Sequence, residues 1–186
     1  MSREEFLPVD RFLHTLEIVS REGHHLAYSW RRLYTENISE EWVRQLEDRP
    51  DMAERLEAFV SRFSRMQDTI ADKLLPRWLR ALAETPGSQI EVLNRAERLG
   101  VLSSTSEWLE ARKLRNEMVH EYMTCPAEFA ASLLLARDHA LMLMDTYESL
   151  RQDARTRLNL PEERLPGAIE RPDSLPPHCA ARTPRT

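Results

Sequence analysis

Four side chains that could carry out phosphate chemistry fall in one run of eight residues, from Arg115 to Tyr122. Between them lie an amide, Asn116, and an imidazole, His120. A guanidinium holds two phosphate oxygens at once, and an imidazole exchanges a proton near neutral pH. Together the four groups can bind a phosphate, polarise it and move a proton.

The run belongs to a predicted helix over about residues 107–121, the motif helix, whose apolar positions form one stripe. Steps of three and four residues place on it Trp108, Ala111, Arg115, Met118, Val119 and Tyr122. A charge among apolar side chains is costly unless it is paired, so Arg115 needs an acidic partner, a subunit interface or a ligand phosphate. A salt bridge to Asp68 or Asp72 explains Arg115 as well as a catalytic role does. The stripe is also too apolar to face water and, with Arg115 in it, too charged for the core of a monomer, which predicts a homodimer in which two motif helices meet.

The other groups of the run have structural alternatives too. Asn116 and His120 are four residues apart and share a helix face. A lone histidine near a helix end more often caps a helix or packs in a core than it catalyses a reaction. For Tyr122 the alternative is packing beside Val119. The combination of arginine, asparagine and histidine within six residues favours a catalytic site.

The elements that must position these groups are all predicted to be helices. Apolar residues recur at three- and four-residue steps over about residues 8–34, 51–82, 89–99, 107–121 and 126–155, and a short helix follows Ser39. A kink or a restart is expected at Pro76, because proline cannot continue the hydrogen bonds of a helix. No stretch has the two-residue period of a strand. The sequence therefore predicts an all-α bundle of four or more principal helices in one domain, residues 1–157.

Composition supports a helical domain without a membrane span. Hydrophobic residues make up 41% and charged residues 31%, with only 4 glycines. No window approaches the roughly 20 apolar residues of a membrane span, and the N-terminus lacks the apolar core of a signal peptide, so a cytoplasmic location is expected. After Leu160, prolines and charges replace apolar residues. Residues 158–186 are therefore expected to form a disordered Pro-rich tail.

Charge and ligand spacing narrow the function further. A net charge of -5 argues against a protein that coats nucleic acid, since such binding neutralises phosphates. A local basic patch is compatible with this charge, and its candidates are Arg95, Arg98, Arg112, Lys113 and Arg115. For all of them except Arg115, pairing with nearby glutamates is favoured. Those glutamates are Glu91, Glu97, Glu107 and Glu110. Neither the histidines nor the two cysteines have metal-ligand spacing, so no metal or cofactor is expected.

The run from Arg115 to Tyr122 resembles the motif of the HEPN superfamily, in which an arginine is followed by a polar residue, about three variable residues and a histidine. The further tyrosine, two positions after His120, is the form found in HepT-like toxins of prokaryotic toxin–antitoxin pairs. The match is close over these eight residues and general over the rest of the chain. The resemblance implies a HEPN-like helical bundle that dimerises, so that two motif helices form a composite cleft.

The resemblance also implies a metal-independent endoribonuclease. The RNA 2′-hydroxyl is then the nucleophile, His120 the candidate base, Arg115 the candidate phosphate clamp, and Asn116 a group that orients one of them. In HepT-like toxins the tyrosine that matches Tyr122 accepts adenylyl groups from a nucleotidyltransferase antitoxin of the MntA type, and the added phosphate would repel RNA. The implied partners are RNA, that antitoxin and a second copy of the chain. The length, the Pro-rich tail and the long helix before the motif depart from the usual pattern, which leaves open another route of neutralisation.

Two other functions remain open. HEPN-fold proteins also accompany nucleotidyltransferases as noncatalytic substrate-binding partners. A plain helical interaction module, in which Arg115 and His120 are structural, is the third interpretation. The presence of both residues favours the ribonuclease over the module.

Overall fold

The computed structural model describes residues 7–120 and 125–173, with the backbone alone at Val119 and His120. All regular structure in these ranges is helical, which confirms the prediction of an all-α bundle. The helices are α1 (Pro8–Leu33), α2 (Glu40–Arg44), α3 (Pro50–Thr69), α4 (Leu75–Ala81), α5 (Gln89–Arg98), α6 (Thr105–His120) and α7 (Pro126–Thr156). Single turns of 3-10 helix follow at Gln45–Asp48 and Glu162–Arg164. Within the described ranges, no helix combines the length and the apolar character that a membrane span requires.

The ends of the shorter helices follow local sequence signals. The Ser39 hydroxyl accepts a hydrogen bond from the Trp42 amide at 3.2 Å and so caps α2. Ser88 caps α5, and the Glu91 carboxylate accepts a hydrogen bond from the Ser88 amide at 2.7 Å, which completes a capping box. Gly100 follows α5 with a φ of +78°, a left-handed conformation that glycine adopts without strain. The predicted starts and stops of these helices are therefore confirmed.

The core lies where α1, α3, α4 and α7 pack together, with α6 packed on α7 and α3. Its largest fully buried side chains come from five helices. They are Phe12, Leu16, Phe59, Phe63, Trp78, Trp108 and Tyr147. Because α6 buries Trp108, Ala111, Leu114 and Met118, the motif helix is held by packing over residues 108–118.

A turn of π-helix, Ile70–Leu74, joins α3 to α4 just before Pro76. Pro76 has no amide hydrogen for the carbonyl four residues earlier, and its ring would collide with that carbonyl in a regular α-helix. The wider turn avoids the collision, and the Leu75 amide donates to the Ile70 carbonyl five residues back. The interruption expected at Pro76 is thus a π turn that keeps the two helices continuous.

The segment after α7 corrects the expected domain boundary at residue 157. Residues 158–173 pack on α1 and α7, and Ile169 is only 5% exposed. The Gly167 carbonyl accepts hydrogen bonds from Ser20 Oγ at 3.1 Å and from Tyr147 Oη at 2.7 Å. The prolines prevent helix formation, but side chains of the bundle satisfy the segment's backbone groups in place of helical hydrogen bonds. The domain therefore extends at least to residue 173, and residues 174–186 lie outside the described part.

Gly23 explains how this segment comes so close to α1. The helix runs through Gly23 without a break. A Cβ at this position would overlap the Ile169 side chain and crowd Met66. The glycine therefore makes room for the C-terminal segment and does not loosen the helix.

Candidate functional site

The motif helix α6 is fixed at its start by two side chains. The Glu97 carboxylate accepts a hydrogen bond from the Thr105 amide at 2.8 Å. The Ser104 hydroxyl accepts one from the Glu107 amide at 3.2 Å. Acceptors at a helix N-terminus satisfy amides that have no partner within the helix. The start of α6, and with it the register of the motif, is therefore well defined.

Four apolar residues of α6 whose side chains are described are buried inside this chain. Trp108, Ala111, Leu114 and Met118 all belong to the core. These four residues therefore need no second copy of the chain to cover them, so they give no support to the dimer predicted from the stripe. A homodimer remains a prediction that rests on the HEPN resemblance.

Arg115 lies at the edge of this buried face, and its side chain is 13% exposed. Its Nη1 donates to Asp68 Oδ1, so Asp68 of α3 is the acidic partner and Asp72 is not. The Asp68 side chain is 53% exposed, which leaves the ion pair open to solvent on one side. Pairs with this degree of exposure contribute at most about 1 kcal/mol to stability. An incoming phosphate can therefore compete with Asp68 for the guanidinium.

Asn116 contacts Arg115 directly. Its Oδ1 accepts hydrogen bonds from Arg115 Nε at 3.2 Å and from Nη2 at 3.0 Å. The amide thus holds the guanidinium plane together with Asp68. His120 is placed by its backbone as the last residue of α6, while its side chain and the whole of Tyr122 lie outside the described residues.

A second polar chain lies beside the first and was not anticipated from the sequence. Gln89 Nε2, at the start of α5, donates to Asp72 Oδ1 of the π turn at 2.6 Å. Gln89 Oε1 in turn accepts a hydrogen bond from Arg112, one turn before Arg115. The chain links three elements through a neutral amide, so neither charge pattern nor periodicity indicated it. It fixes the positions of α5 and the π turn next to the motif helix.

Gln67 is a further polar residue beneath the site. It is 1% exposed, and its Nε2 donates to the Trp108 carbonyl at 3.4 Å. Its Oε1 has no hydrogen-bond partner among the described residues. A glutamine at a core-facing step of α3, between Phe63 and Ile70, is the sequence signal that could have identified it.

Three of the five members of the basic patch considered from the sequence pair with carboxylates. Arg95 forms a two-point contact with Glu84, at 2.9 Å from Nε and 2.7 Å from Nη2. These hydrogen bonds hold the pKa of the Glu84 carboxyl below its usual value. Lys113 lies 3.7 Å from Glu117 on the same helix. The favoured interpretation, solvated helix-face pairs, is correct for Arg95 and Lys113, although their partners differ from the four glutamates considered.

The described surface has two other grooves, and the motif residues do not line them. A groove of about 560 Å³ lies between α1 and the segment around Pro166. Another, of about 420 Å³, lies between Glu107 and the α7 residues near Asp145. Among the described residues, no group of three or more His, Cys, Asp or Glu side chains is placed to hold a metal ion.

Comparison of the chain with protein-family models, with curated proteins and with solved structures gives no match. A function is therefore inferred from the motif and from the contacts of Arg115.

Proposed function

We propose that the chain is a metal-independent endoribonuclease of the HEPN type, acting in the cytoplasm as the toxin of a toxin–antitoxin pair. The observation that carries the proposal is the state of Arg115. Its guanidinium is held at a solvent-facing edge by Asp68 and Asn116, within the same helix as His120. A clamp for phosphate needs this combination of fixed direction and access.

In the proposed reaction the RNA supplies its own nucleophile. His120 accepts the proton of the 2′-hydroxyl, and the 2′-oxygen forms a bond to the adjacent phosphorus. The bond from phosphorus to the 5′-oxygen breaks, and that oxygen takes up a proton from water. The products are a 2′,3′-cyclic phosphate and a 5′-hydroxyl. No redox change and no metal ion are required.

Arg115 stabilises the negative charge that builds up on the phosphate oxygens during this reaction. A guanidinium presents donors in a planar fork that matches two such oxygens. In the free protein Asp68 occupies one side of the fork. Exchange of the carboxylate for a phosphate keeps the charge of Arg115 compensated at each stage, and Asn116 keeps the fork oriented.

The finer parts of the proposal follow from the HEPN resemblance. Two copies of the chain bring their motif helices together in a composite cleft that binds RNA. A nucleotidyltransferase antitoxin of the MntA type then adenylylates Tyr122 and so places negative charge beside His120. Coexpression with that enzyme should add one or more AMP units to the wild-type chain and none to Tyr122→Phe, as read by intact mass. A silenced wild-type chain without added mass would instead indicate steric neutralisation.

The decisive experiment compares purified wild-type chain with His120→Ala and Arg115→Ala. Each variant should keep its helical circular dichroism and lose RNA cleavage, because a general base contributes about two to four orders of magnitude in rate. Lys113→Ala is the matched control on the same helix, since its charge is paired with Glu117 and exposed. Cleavage by His120→Ala at the wild-type rate would overturn the assignment of the base.

A noncatalytic role is the second candidate, and one observation favours it. The pair with Asp68 already compensates Arg115 within the chain, so the residue needs no ligand to be stable. In that case the bundle would bind the substrate of a nucleotidyltransferase without cleaving it. Wild-type protein that fails to cut RNA while binding such an enzyme would support this alternative.

A further inference from the structure

An exposed tyrosine on α1 is flanked by two arginines. The Tyr28 side chain is on the surface, with 54% of the residue exposed. The guanidinium carbon of Arg32 lies 5.7 Å from the centre of its ring, and that of Arg62, from α3, lies 6.0 Å away. Arg32 Nη1 also donates to the Tyr28 hydroxyl at 3.2 Å. The ring is therefore presented at the surface in a basic frame made by two helices.

Among the described residues, the two arginines beside the ring hydrogen-bond to uncharged groups. Arg62 donates to the His25 carbonyl at 3.2 Å and to the Ser29 hydroxyl, both uncharged acceptors. Arg95, by contrast, pairs with the carboxylate of Glu84. Within the described part of the chain, neither Arg32 nor Arg62 forms a salt bridge.

Arg65 extends the basic frame along the exposed side of α3. It too forms no salt bridge within the described residues. Its positive charge interacts electrostatically with the carboxylate of Glu22. Glu22 is half-buried and accepts a hydrogen bond from Thr69 at 3.0 Å. Burial raises the pKa of the Glu22 carboxyl, while the positive charge of Arg65 lowers it. The three arginines together outnumber this one half-buried acid, on a chain whose net charge is -5.

An aromatic ring surrounded by unpaired guanidinium groups has the chemistry of a site for single-stranded nucleic acid. An unpaired base stacks on the ring, while the flanking phosphates take the arginines. In a duplex the bases are stacked on each other and cannot stack on the ring. A small anion would bind the arginines but has no base to stack on the ring. The combination of ring and charge thus distinguishes an unpaired strand from other polyanions.

The position of this surface relates it to the motif helix. Arg62 and Asp68 are both on α3, six residues apart, which is roughly 9 Å along the helix axis. Asp68 is the partner of Arg115, and Arg65 lies between the two positions. We propose that Tyr28, Arg32, Arg62 and Arg65 form a binding platform for an unpaired RNA strand that leads to Arg115. The identification of the strand as RNA substrate rests on the proposed ribonuclease function.

Binding can be measured apart from cleavage. A fluorescent single-stranded oligonucleotide with 2′-O-methyl groups has no 2′-hydroxyl nucleophile, so it reports binding by anisotropy whether or not the protein is a nuclease. Tyr28→Ala should weaken its binding by about 5- to 150-fold, the range for loss of one stacked base. Tyr28→Phe keeps the ring and should stay within about twofold of wild type.

The arginines are tested by the salt dependence of the same binding. Arg65→Gln should reduce the slope of log K against log salt by about 0.7, as expected for one phosphate contact on a single strand. Arg44→Gln is the matched control, because Arg44 is exposed and already paired with Glu40. It should leave the slope unchanged. Because the Arg65 side chain is exposed and only the backbone carbonyl of Arg65 accepts a side-chain hydrogen bond, from Thr69, its replacement by glutamine should leave the fold intact.

The possible outcomes separate this inference from the proposed function. Binding that is equally strong with Tyr28→Ala, or no binding by the wild type, overturns the platform. Equal affinity for a duplex of the same length overturns it as well. Binding that depends on Tyr28, without cleavage of unmodified RNA, supports the platform and refutes the ribonuclease. Cleavage that depends on His120 but is indifferent to Tyr28 and Arg65 does the reverse.

Discussion

Asp68→Asn separates the structural role of Arg115 from its proposed catalytic role. The change removes the charge opposite Arg115 but keeps an oxygen of the same geometry. Arg115 is 13% and Asp68 53% exposed, so the pair contributes about 0.5–1 kcal/mol to stability. For a chain of this size 1 kcal/mol corresponds to about 2–4 °C, which predicts a melting temperature lower by about 1–4 °C.

The effect on RNA cleavage should have the opposite sign. A phosphate must displace Asp68 to reach the guanidinium, so loss of that competition should lower KM by about two- to fivefold, the same 0.5–1 kcal/mol. The turnover number should not change, because Arg115 is still present. Arg115→Ala should instead lower kcat by about 100- to 1000-fold, as expected for a lost donor to the transition state.

The assay is steady-state cleavage of a short RNA, together with thermal unfolding followed by circular dichroism. Asp72→Asn is the matched control, because Asp72 accepts from Gln89 and is not in contact with Arg115. It should leave KM as in the wild type. If Asp68→Asn lowers kcat as much as Arg115→Ala does, Asp68 takes part in the reaction and the reasoning is refuted. If Arg115→Ala lowers the melting temperature but the protein that remains folded cleaves RNA at the wild-type rate, Arg115 is structural.

Three further predictions concern the bundle that holds the site. Asp153→Ala leaves the buried Trp78 indole without its acceptor, now 2.7 Å away, and should cost about 1–3 kcal/mol in urea unfolding. Ile169→Ala should cost about 2–5 kcal/mol and speed amide exchange in residues 165–173, because the side chain is buried against α1. Burial raises the pKa of Glu22, so this group stabilises the fold below its unfolded pKa of about 4.3 and loses that contribution as the pH rises. Glu22→Gln should therefore raise the melting temperature relative to wild type more at pH 8 than at pH 5.

Each of these variants is matched by a control in which an exposed residue of the same type is replaced in the same way. Asp138→Ala removes an exposed acid paired with its neighbour Arg137 and should be nearly neutral. Ile90→Ala removes an isoleucine that is 44% exposed and should cost much less than Ile169→Ala. Glu17→Gln removes an exposed carboxylate paired with Arg21 and should show no gain at pH 8. Equal effects in variant and control would contradict the corresponding prediction.

Local signals made most of the fold predictable. Ser88 and Glu91 form a capping box, Gly100 takes the left-handed conformation after α5, and Pro76 interrupts a long helix. Each depends on residues within about one helical turn, so the sequence contains all the information needed. Only the form of the interruption, a π turn, depends on the packing around it.

Contacts between distant elements could not be predicted in this way. The segment around Ile169 looks disordered because its prolines and charges offer no periodic apolar face. Its order comes from side chains of α1 and α7, such as Ser20 and Tyr147, that satisfy its carbonyls. The pairing of Arg95 with Glu84 likewise crosses the turn between α4 and α5. The apolar periodicity of a single helix gives no information about such partners in other elements.

The salt-bridge partner of Arg115 on α6 depends on a third element, α5. Asp68 and Asp72 are one turn apart, and both were candidates for the salt bridge. Gln89, at the start of α5, donates a hydrogen bond to Asp72 at 2.6 Å, and its side-chain oxygen accepts one from Arg112. Because the amide of Gln89 donates a hydrogen bond to Asp72, Asp68 is the acid that pairs with Arg115 at the exposed edge of α6. Replacement of Gln89 by alanine should therefore free Asp72 and Arg112 to pair directly, while the contact of Arg115 with Asp68 persists.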